Sequence, residues 1–228
     1  MGLDTDAIEA VAFDSFSTLV DVESSKKALP DRIDDPERIA TVWRRQALEY
    51  SMLANFLDEY ETYYDCHRMG LEYAADLFGL DLTPVEIESI NEVYYDLEPF
   101  DDVAPALADL VAAGYDPYVI SNGDMAMLEA MVETLAVGDL LSAVVSADDI
   151  RTFKPHAKLY GYAAERAGVP VDRTVHVSAV TFDVQGAQNA GMQGVWLNRE
   201  GRPAHPYGPE PNLEIDSLYA LTDELDVD

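Results

Sequence analysis

The feature that most constrains the fold is a series of five short apolar runs, each followed by a polar residue. They occupy residues 8–13, 117–120, 143–145, 174–177 and 194–197. Segments with helical periodicity lie at residues 104–113, 125–136, 157–167 and 184–190. Gly114 and Gly168 are suited to cap two of these helices. Buried strands that alternate with helices are typical of a parallel sheet flanked by helices, so the sequence predicts an α/β fold.

The interval between the first two runs is too long for a plain loop. Residues 24–100 contain no convincing strand pattern. Asp35-Pro36 and Thr83-Pro84 are typical helix starts, because proline is favoured at the first helical position. Pro99 disfavours helix in the residue before it, which marks a hinge back to the sheet. We therefore expect an α/β core of residues 1–22 and 100–228, with an inserted all-helical cap domain at residues 23–99.

The charge of the chain argues against two classes of partner. Its 44 acidic and 14 basic residues give a formal net charge of −30. Such a charge repels nucleic-acid phosphates and anionic lipid headgroups, so we expect neither nucleic-acid nor membrane binding. Four of the basic residues are lysines. This composition predicts a halophilic protein from an acidic proteome, since molar salt shortens the screening length to about 3 Å. An ordinary acidic mesophile protein is the alternative.

Cysteine usage and the N-terminal residues favour a soluble cytoplasmic protein. Cys66 is the single cysteine, which leaves no internal disulfide and no multi-cysteine metal site. The four histidines are too scattered to predict a zinc site, and residues 186–191 lack the Gly-x-Gly-x-x-Gly turn of a dinucleotide site. The first residues lack a secretory signal, and no run of roughly 18 apolar residues occurs.

Polar residues suited to catalysis follow four of the predicted strands. Ligands of an open α/β sheet bind beyond the carboxyl ends of its strands, so these residues should meet in one crevice. Each has an ordinary explanation alone, since an aspartate after a strand is often a turn residue and a lone lysine is usually solvated. Their joint arrival at successive strand ends predicts an active site. The residues are Asp14 with Thr18, Ser121 with Asn122, Lys154, and Ser178 with Asp183.

The order and spacing of several sequence blocks resemble the haloacid dehalogenase (HAD) superfamily and, within it, the L-2-haloacid dehalogenases. These blocks cover residues 13–19, 43–50, 120–123, 153–155 with Tyr160, 177–187 and 195–199. The resemblance spans nearly the whole chain. It implies a HAD-like Rossmannoid core with a helical cap, hydrolysis of small L-2-haloacids, and a homodimer.

Two positions separate this branch from the phosphatases of the superfamily. Phosphatases are expected to carry a second aspartate two residues after the nucleophile to protonate the leaving alkoxide, and here that residue is Phe16. They also place a magnesium-binding carboxylate at the end of the fourth strand, where this chain has Ser178. A leaving halide needs no proton. The resemblance therefore implies no metal and no other cofactor.

The resemblance also implies a role for each residue of the site. Asp14 attacks C2 of the haloacid and forms an aspartyl ester, from which water releases a D-2-hydroxy acid. Lys154 keeps Asp14 ionised, while Asp183 activates the water with help from Ser178. Arg44 receives the halide, although taken alone it would sooner suit an ion pair with an acid one helical turn away. The substrate-binding and supporting residues are Ser15, Phe16, Thr18, Leu48, Tyr63, Ser121, Asn122, Tyr160 and Phe182.

The sequence departs from the family pattern at three positions. The family has serine and asparagine after the residue equivalent to Ser178, and this chain has Ala179 and Val180. Ser17 stands where the family prefers glycine. Two alternative functions therefore stay open. One is another hydrolase of the same fold, such as a weak phosphatase or an enzyme for a different small acid, and the other is a non-catalytic ligand-binding or interaction protein.

Overall fold

The computed structural model describes residues 2–227 and is built around a six-stranded parallel sheet. The strands are β1 (Ala10–Phe13), β2 (Val20–Asp21), β3 (Glu98–Pro99), β4 (Asp116–Ser121), β5 (Ala143–Ser146), β6 (Thr174–Ser178), β7 (Gln193–Leu197) and β8 (Leu213–Ile215). The main sheet has the order β5-β4-β1-β6-β7-β8. All of its neighbouring strands are parallel, and β1 is buried throughout. The five strands predicted from the apolar runs are confirmed, with ends shifted by one or two residues.

Helices flank the sheet and fill the interval after β1. They are α1 (Pro36–Leu57), α2 (Tyr63–Phe78), α3 (Pro84–Asn91), α4 (Val103–Ala112), α5 (Met125–Leu135), α6 (Ala157–Ala167), α7 (Thr181–Ala190) and α8 (Leu218–Glu224). The Asp35 side chain caps α1, and Thr83 with Glu86 forms a capping box at the start of α3, so both predicted starts are confirmed. α7 begins three residues earlier than predicted, which places Asp183 in its first turn.

Several elements were not predicted. The helices α2 and α8, the strand β8 and the short pair β2 and β3 have no counterpart in the sequence interpretation. The pairing of β2 with β3 is antiparallel, with Val20 opposite Pro99. The segment interpreted as the hinge at the end of an all-helical cap is therefore partly a strand. The pair joins the chain segment that leaves the sheet before α1 to the segment that returns to the sheet after α3, so it lies at the base of the inserted helical lobe.

Close packing holds the inserted lobe together and fixes it to the sheet. α1 and α2 approach closely at Gly70, where an added Cβ would lie 2.7 Å from the carbonyl oxygen of Trp43. The Trp43 indole is buried and donates a 2.7 Å hydrogen bond to the His67 carbonyl. On the far side of the lobe, the Asn55 amide bonds both the N–H and the C=O of Phe153. This contact ties α1 to the loop that carries Lys154.

No helix within residues 2–227 is both long enough and apolar enough to cross a membrane. Five of the ten exposed large apolar side chains among the described residues lie on α1 and α2. Leu53, Phe56 and Leu57 follow helical spacing on α1, and Tyr73 and Leu77 do so on α2.

Candidate active site

Three charged side chains from different elements meet at the carboxyl edge of the sheet. Asp14 follows β1, Lys154 lies in the loop between β5 and α6, and Asp183 lies in the first turn of α7. Lys154 Nζ donates to Asp14 Oδ1 at 2.5 Å and to Asp183 Oδ2 at 2.8 Å. A third bond, of 3.0 Å, goes to the carbonyl of Ile120 at the end of β4. All three charged groups are buried, and the fold brings them together at one edge of the sheet.

Hydroxyl groups support the second oxygen of the Asp14 carboxylate. Thr18 Oγ1 lies 3.2 Å from Asp14 Oδ2, and Ser178 Oγ lies 3.5 Å from the same atom. Thr18 Oγ1 also accepts a 2.9 Å bond from the N–H of Ala179. Thr18 therefore links the loop after β1 to the loop after β6, on either side of Asp14.

The loop that presents Asp14 turns sharply at Ser17. This residue has φ of +68°, in the left-handed region that favours glycine. Its N–H donates to the carbonyl of Val20 at 2.8 Å, and the N–H of Leu19 donates to the carbonyl of Ser15 at 2.8 Å. The backbone thus requires at position 17 the conformation for which glycine is the usual residue, and serine adopts it here.

Burial and the ion pairs shift the pKa of each charged group. Burial raises the pKa of Asp14 above the ordinary 3.8, although Lys154 acts in the opposite direction. Burial also opposes the charge of Asp183, but Lys154 and His176 together hold its pKa well below the usual range. Burial disfavours the Lys154 ammonium, yet the two carboxylates raise its pKa above 10.5. The shared ammonium of Lys154 therefore links the ionisation of Asp14 to that of Asp183.

Both oxygens of Asp183 are engaged by neighbouring side chains. The Tyr160 hydroxyl donates to Asp183 Oδ1 at 2.6 Å, and His176 Nε2 lies 3.0 Å from Oδ2. His176 is fully buried on β6. Sequence reasoning missed His176, because its position was counted as part of an apolar run. The strand alternation around it was the available signal, since His176 and Ser178 share one face of β6.

Ser15, Ser121 and Asn122 shape the loops beside Asp14. The hydroxyls of Ser15 and Ser121 lie 2.6 Å apart and are fully buried. Ser121 Oγ also accepts from the N–H of Gly123 at 2.9 Å. Asn122 Oδ1 accepts from the backbone N–H of Lys154 at 2.8 Å. These bonds position the loops after β1, β4 and β5 relative to one another.

A cavity of about 640 Å³ opens onto the charged cluster and is lined by residues of both the lobe and the sheet. The predicted site residues on its wall are Asp14, Phe16, Arg44, Leu48, Tyr63, Asn122, Lys154, Phe182 and Asp183. The remaining ones are buried behind that wall, namely Ser15, Thr18, Ser121, Tyr160 and Ser178. Ser17, Ala179 and Val180, the three departures from the family pattern, also line the cavity.

Arg44 reaches the cavity from α1 with one nitrogen paired and one free. Its Nη2 lies 2.5 Å from Glu23 Oε1, while Nη1 is buried without a hydrogen-bond partner among the described residues. The alternative of a partner one turn away on the same helix is therefore wrong, because Glu23 lies before α1 in the chain. His67 lies nearby on the cavity wall, and burial together with Arg44 lowers its pKa to about 3. That histidine is uncharged at neutral pH.

Arg199 is a second cation that sequence reasoning gave no role. It follows β7, lines the cavity, and holds Asp102 through two bonds of 2.7 and 2.8 Å. Its Nη2 also lies 3.3 Å from the Thr18 carbonyl. The guanidinium stacks 4.2 Å from the ring centroid of Phe100. Arg199 thereby supports the loop after β1 from outside the charged cluster.

Within residues 2–227, no group of three or more histidine, cysteine, aspartate and glutamate side chains is arranged to hold a metal ion. Cys66 is buried, and burial raises the pKa of its thiol to about 12, so it is a packed side chain.

The sheet, the inserted helical lobe and the buried Asp14–Lys154 pair define a hydrolase with a Rossmann-like core. Residues 8–191 match the haloacid dehalogenase-like hydrolases, and the chain belongs to this family. An (S)-2-haloacid dehalogenase of Xanthobacter autotrophicus is 36% identical over 81% of this chain and 73% of its own length. The (S)-2-haloacid dehalogenase 4A of Burkholderia cepacia is 30% identical, with 95% of this chain and 94% of that protein covered.

Solved structures agree with this assignment. The L-2-haloacid dehalogenase from Xanthobacter autotrophicus with chloropropionic acid covalently bound superimposes with a TM-score of 0.90. The two sequences are 29% identical, and the match covers 96% of this chain and 98% of that one. The predicted fold, a HAD-like core with parallel sheet and flanking helices, is confirmed.

Proposed function

We propose that this protein hydrolyses small L-2-haloacids to D-2-hydroxy acids through an aspartyl ester on Asp14. The observation that carries the proposal is the buried contact of Asp14 with Lys154 on the wall of a cavity that Arg44 also lines. Relatives named (S)-2-haloacid dehalogenase match nearly the whole chain, which supports the same reaction here.

In the first step, an Asp14 carboxylate oxygen attacks C2 of the substrate. The new C–O bond forms as the carbon–halogen bond breaks, and the halide leaves with the bonding electrons and with inversion at C2. Lys154 holds Asp14 in place and favours its ionised form. The free Nη1 of Arg44 is a donor available to the departing halide. Phe16, Leu48, Tyr63 and Phe182 supply an apolar wall that excludes water from the reacting atoms.

In the second step, water attacks the carbonyl carbon of the ester. Asp183 takes one proton from the water and passes it to the alkoxide of the hydroxy acid as the ester C–O bond breaks. The second proton of the water leaves to solvent, which restores the Asp14 carboxylate. Ser178 helps to position the water. Tyr160 orients Asp183 through its 2.6 Å hydrogen bond. Val180 lines this part of the cavity and offers no side-chain hydrogen bond.

The substrate carboxylate is assigned to the loops after β1 and β4. Backbone N–H groups near Ser15 and Phe16 and the amide of Asn122 are the donors, and Ser121 shapes them through its contacts with Ser15 and Gly123. Thr18 completes this group by linking the loops on both sides of Asp14. No metal and no other cofactor takes part in the proposed reaction.

Four further features belong to the proposal. The lobe of residues 23–99 acts as the cap domain over a core of residues 1–22 and 100–228. The net charge of −30 supports a halophilic origin, and the single buried thiol suits a reducing cytoplasm. A homodimer is supported by the apolar side chains on α1 and α2 that are exposed to water in a monomer.

Halide release distinguishes this proposal from its alternatives. The protein is incubated with each enantiomer of 2-chloropropionate in the presence of EDTA, beside a magnesium-supplemented phosphatase assay. We expect chloride from the L enantiomer alone. Magnesium-dependent phosphate release without dehalogenation would indicate a phosphatase of this fold, and the absence of both activities would indicate a binding protein.

A further inference from the structure

The cavity is much larger than the simplest substrates of the proposed reaction. At roughly 30 Å³ per heavy atom, the share of one water molecule in the liquid, 2-chloropropionate fills about 180 Å³. The cavity holds about 640 Å³, which is within the range of pockets that bind larger ligands. Space is therefore left beyond the reacting carbon and its carboxylate.

Cations are concentrated on the wall of this cavity. Five of the 14 basic residues line it, a much larger share than the five of the 44 acidic residues that do so. The cations are Arg44, Arg45, Lys154, Arg199 and Arg202, and the acids are Asp14, Asp21, Glu23, Asp183 and Glu200. The wall is thus formally neutral in a chain of net charge −30, so it repels an anion less than the rest of this acidic chain does.

Most of these cations already have a carboxylate partner. The pairs are Lys154 with Asp14 and Asp183, Arg44 with Glu23, Arg199 with Asp102, and Arg202 with Glu200. Arg45 differs from the others, because it forms no ion pair with any residue from 2 to 227. Its guanidinium charge is left for an anion from outside the chain.

Arg45 belongs to the face of α1 that is turned to the cavity. Thr41, Arg44, Arg45 and Leu48 all line the cavity, at the spacing that places residues on one side of a helix. Arg44 is half-buried and Arg45 is exposed. Arg45 therefore lines the part of the cavity wall that is nearer the solvent.

We propose that Arg45 binds a second carboxylate of the substrate and that the preferred substrates are 2-halodicarboxylic acids. The inference rests on the proposed function, because the first carboxylate and C2 occupy the site beside Asp14. A guanidinium matches a carboxylate through two parallel hydrogen bonds, and such charged bonds are stronger than neutral ones. The reaction at C2 is unchanged.

The kinetic test compares dicarboxylates with monocarboxylates of the same chain length. The L enantiomers of 2-bromosuccinate, 2-bromoglutarate and 2-bromoadipate are assayed against 2-bromobutyrate, 2-bromovalerate and 2-bromohexanoate at fixed ionic strength. We expect at least one dicarboxylate to exceed its partner in kcat/KM by about tenfold, the effect of one charged hydrogen-bonding pair. Arg45→Gln should remove most of that preference.

Arg166→Gln is the matched control for charge. Arg166 is exposed, lies outside the cavity and also forms no ion pair among residues 2–227, so its loss changes the net charge equally. We expect this variant to keep the preference. If the wild type shows no preference for any dicarboxylate, or if Arg45→Gln lowers kcat/KM equally for both kinds of substrate, the second carboxylate site is refuted.

Binding without turnover separates this inference from the proposed reaction. Calorimetry measures the Kd of the wild type for succinate, glutarate and adipate and for butyrate, valerate and hexanoate. Tighter binding of a dicarboxylate, lost in Arg45→Gln and kept in Arg166→Gln, supports the site even if no halide is released. Equal binding of both classes overturns it even if 2-chloropropionate is dehalogenated.

Discussion

Asp14 and Lys154 form a buried ion pair of 2.5 Å although 140 residues separate them in the chain. The ammonium also lies 2.8 Å from Asp183, so two buried carboxylates share one cation. Both carboxylates face a cavity between the lobe and the sheet. The nucleophile and the base of the proposed reaction are thus positioned by the same side chain.

Replacement of Lys154 should affect stability and activity together. Lys154→Met leaves two carboxylates buried without a counter-charge, which typically costs about 3–5 kcal/mol of unfolding free energy. We expect dehalogenation to fall by about 10²–10³-fold as electrostatic support of the nucleophile is lost. Urea denaturation and chloride release measure the two effects. Lys158→Met is the control, since Lys158 is exposed, and a loss of stability as large in that variant would refute the explanation.

The pH dependence of kcat/KM should reflect the raised pKa of Asp14. The carboxylate is the reactive form, so activity is lost as pH falls through its pKa, which burial raises above 3.8. Asp183 remains ionised over this range, because its pKa is lowered. At the alkaline end, the pKa of Lys154 above 10.5 keeps the ammonium charged. An acid limb at or below the ordinary aspartate value would contradict this assignment.

Much of the fold was readable from the sequence because the central strands are buried on both faces and appear as apolar runs. β8 was not predicted because it is three residues long and partly exposed. α2 was not predicted because its buried face is mostly small or polar: Cys66, His67, Gly70, Ala74 and Ala75 accompany only two large apolar residues, Tyr63 and Leu71. Tertiary packing of that face against α1 stabilises the helix instead.

The charged groups and the pairing of Lys154 with Asp14 were expected from the sequence, but the partner of Arg44 and the contact of His176 with Asp183 were not. The convergence of Asp14, Lys154 and Asp183 follows from the rule that ligands bind at the carboxyl ends of parallel strands. The choice of Glu23 as the partner of Arg44 depends on how the lobe packs, and no spacing in the sequence encodes it. The same holds for the contact of His176 with Asp183.

Val180→Asn should speed the second step of the reaction. Valine cannot hydrogen bond the attacking water, so the ester on Asp14 should accumulate in the wild type and decrease in the variant. One added hydrogen bond corresponds to roughly a fivefold faster hydrolysis. Mass spectrometry of enzyme quenched during turnover of excess L-2-chloropropionate measures the ester.

The position of Val180 requires a control for helix stability. Val180 is the N-cap of α7 and makes no side-chain cap, so asparagine there also stabilises the helix by about 1 kcal/mol. Val180→Thr adds a capping hydroxyl to a side chain of nearly the same shape. If Val180→Thr lowers the amount of ester as much as Val180→Asn does, the effect comes from the helix cap and not from a hydrogen bond between the amide and the water.

The charge of the chain should make its stability depend on salt. Molar potassium chloride screens the repulsion among the acidic side chains, and relief of about 2 kcal/mol raises the Tm of a domain this size by roughly 4–8 °C. Thermal unfolding in low and molar potassium chloride tests this, with sucrose at matched osmolality as the uncharged control. A Tm that is flat in salt, or that rises as much in sucrose, would contradict a halophilic adaptation.

The central claim is that Asp14 attacks the substrate, and a single turnover in water labelled with heavy oxygen tests it most directly. Enzyme in excess over L-2-chloropropionate is quenched after one turnover. The masses of the product and of the peptide that contains Asp14 are then measured by mass spectrometry. Because water attacks the ester carbonyl, the label should enter the Asp14 carboxylate and the hydroxy acid should stay unlabelled. Label in the hydroxy acid and none in the Asp14 peptide would mean that water attacks C2 directly.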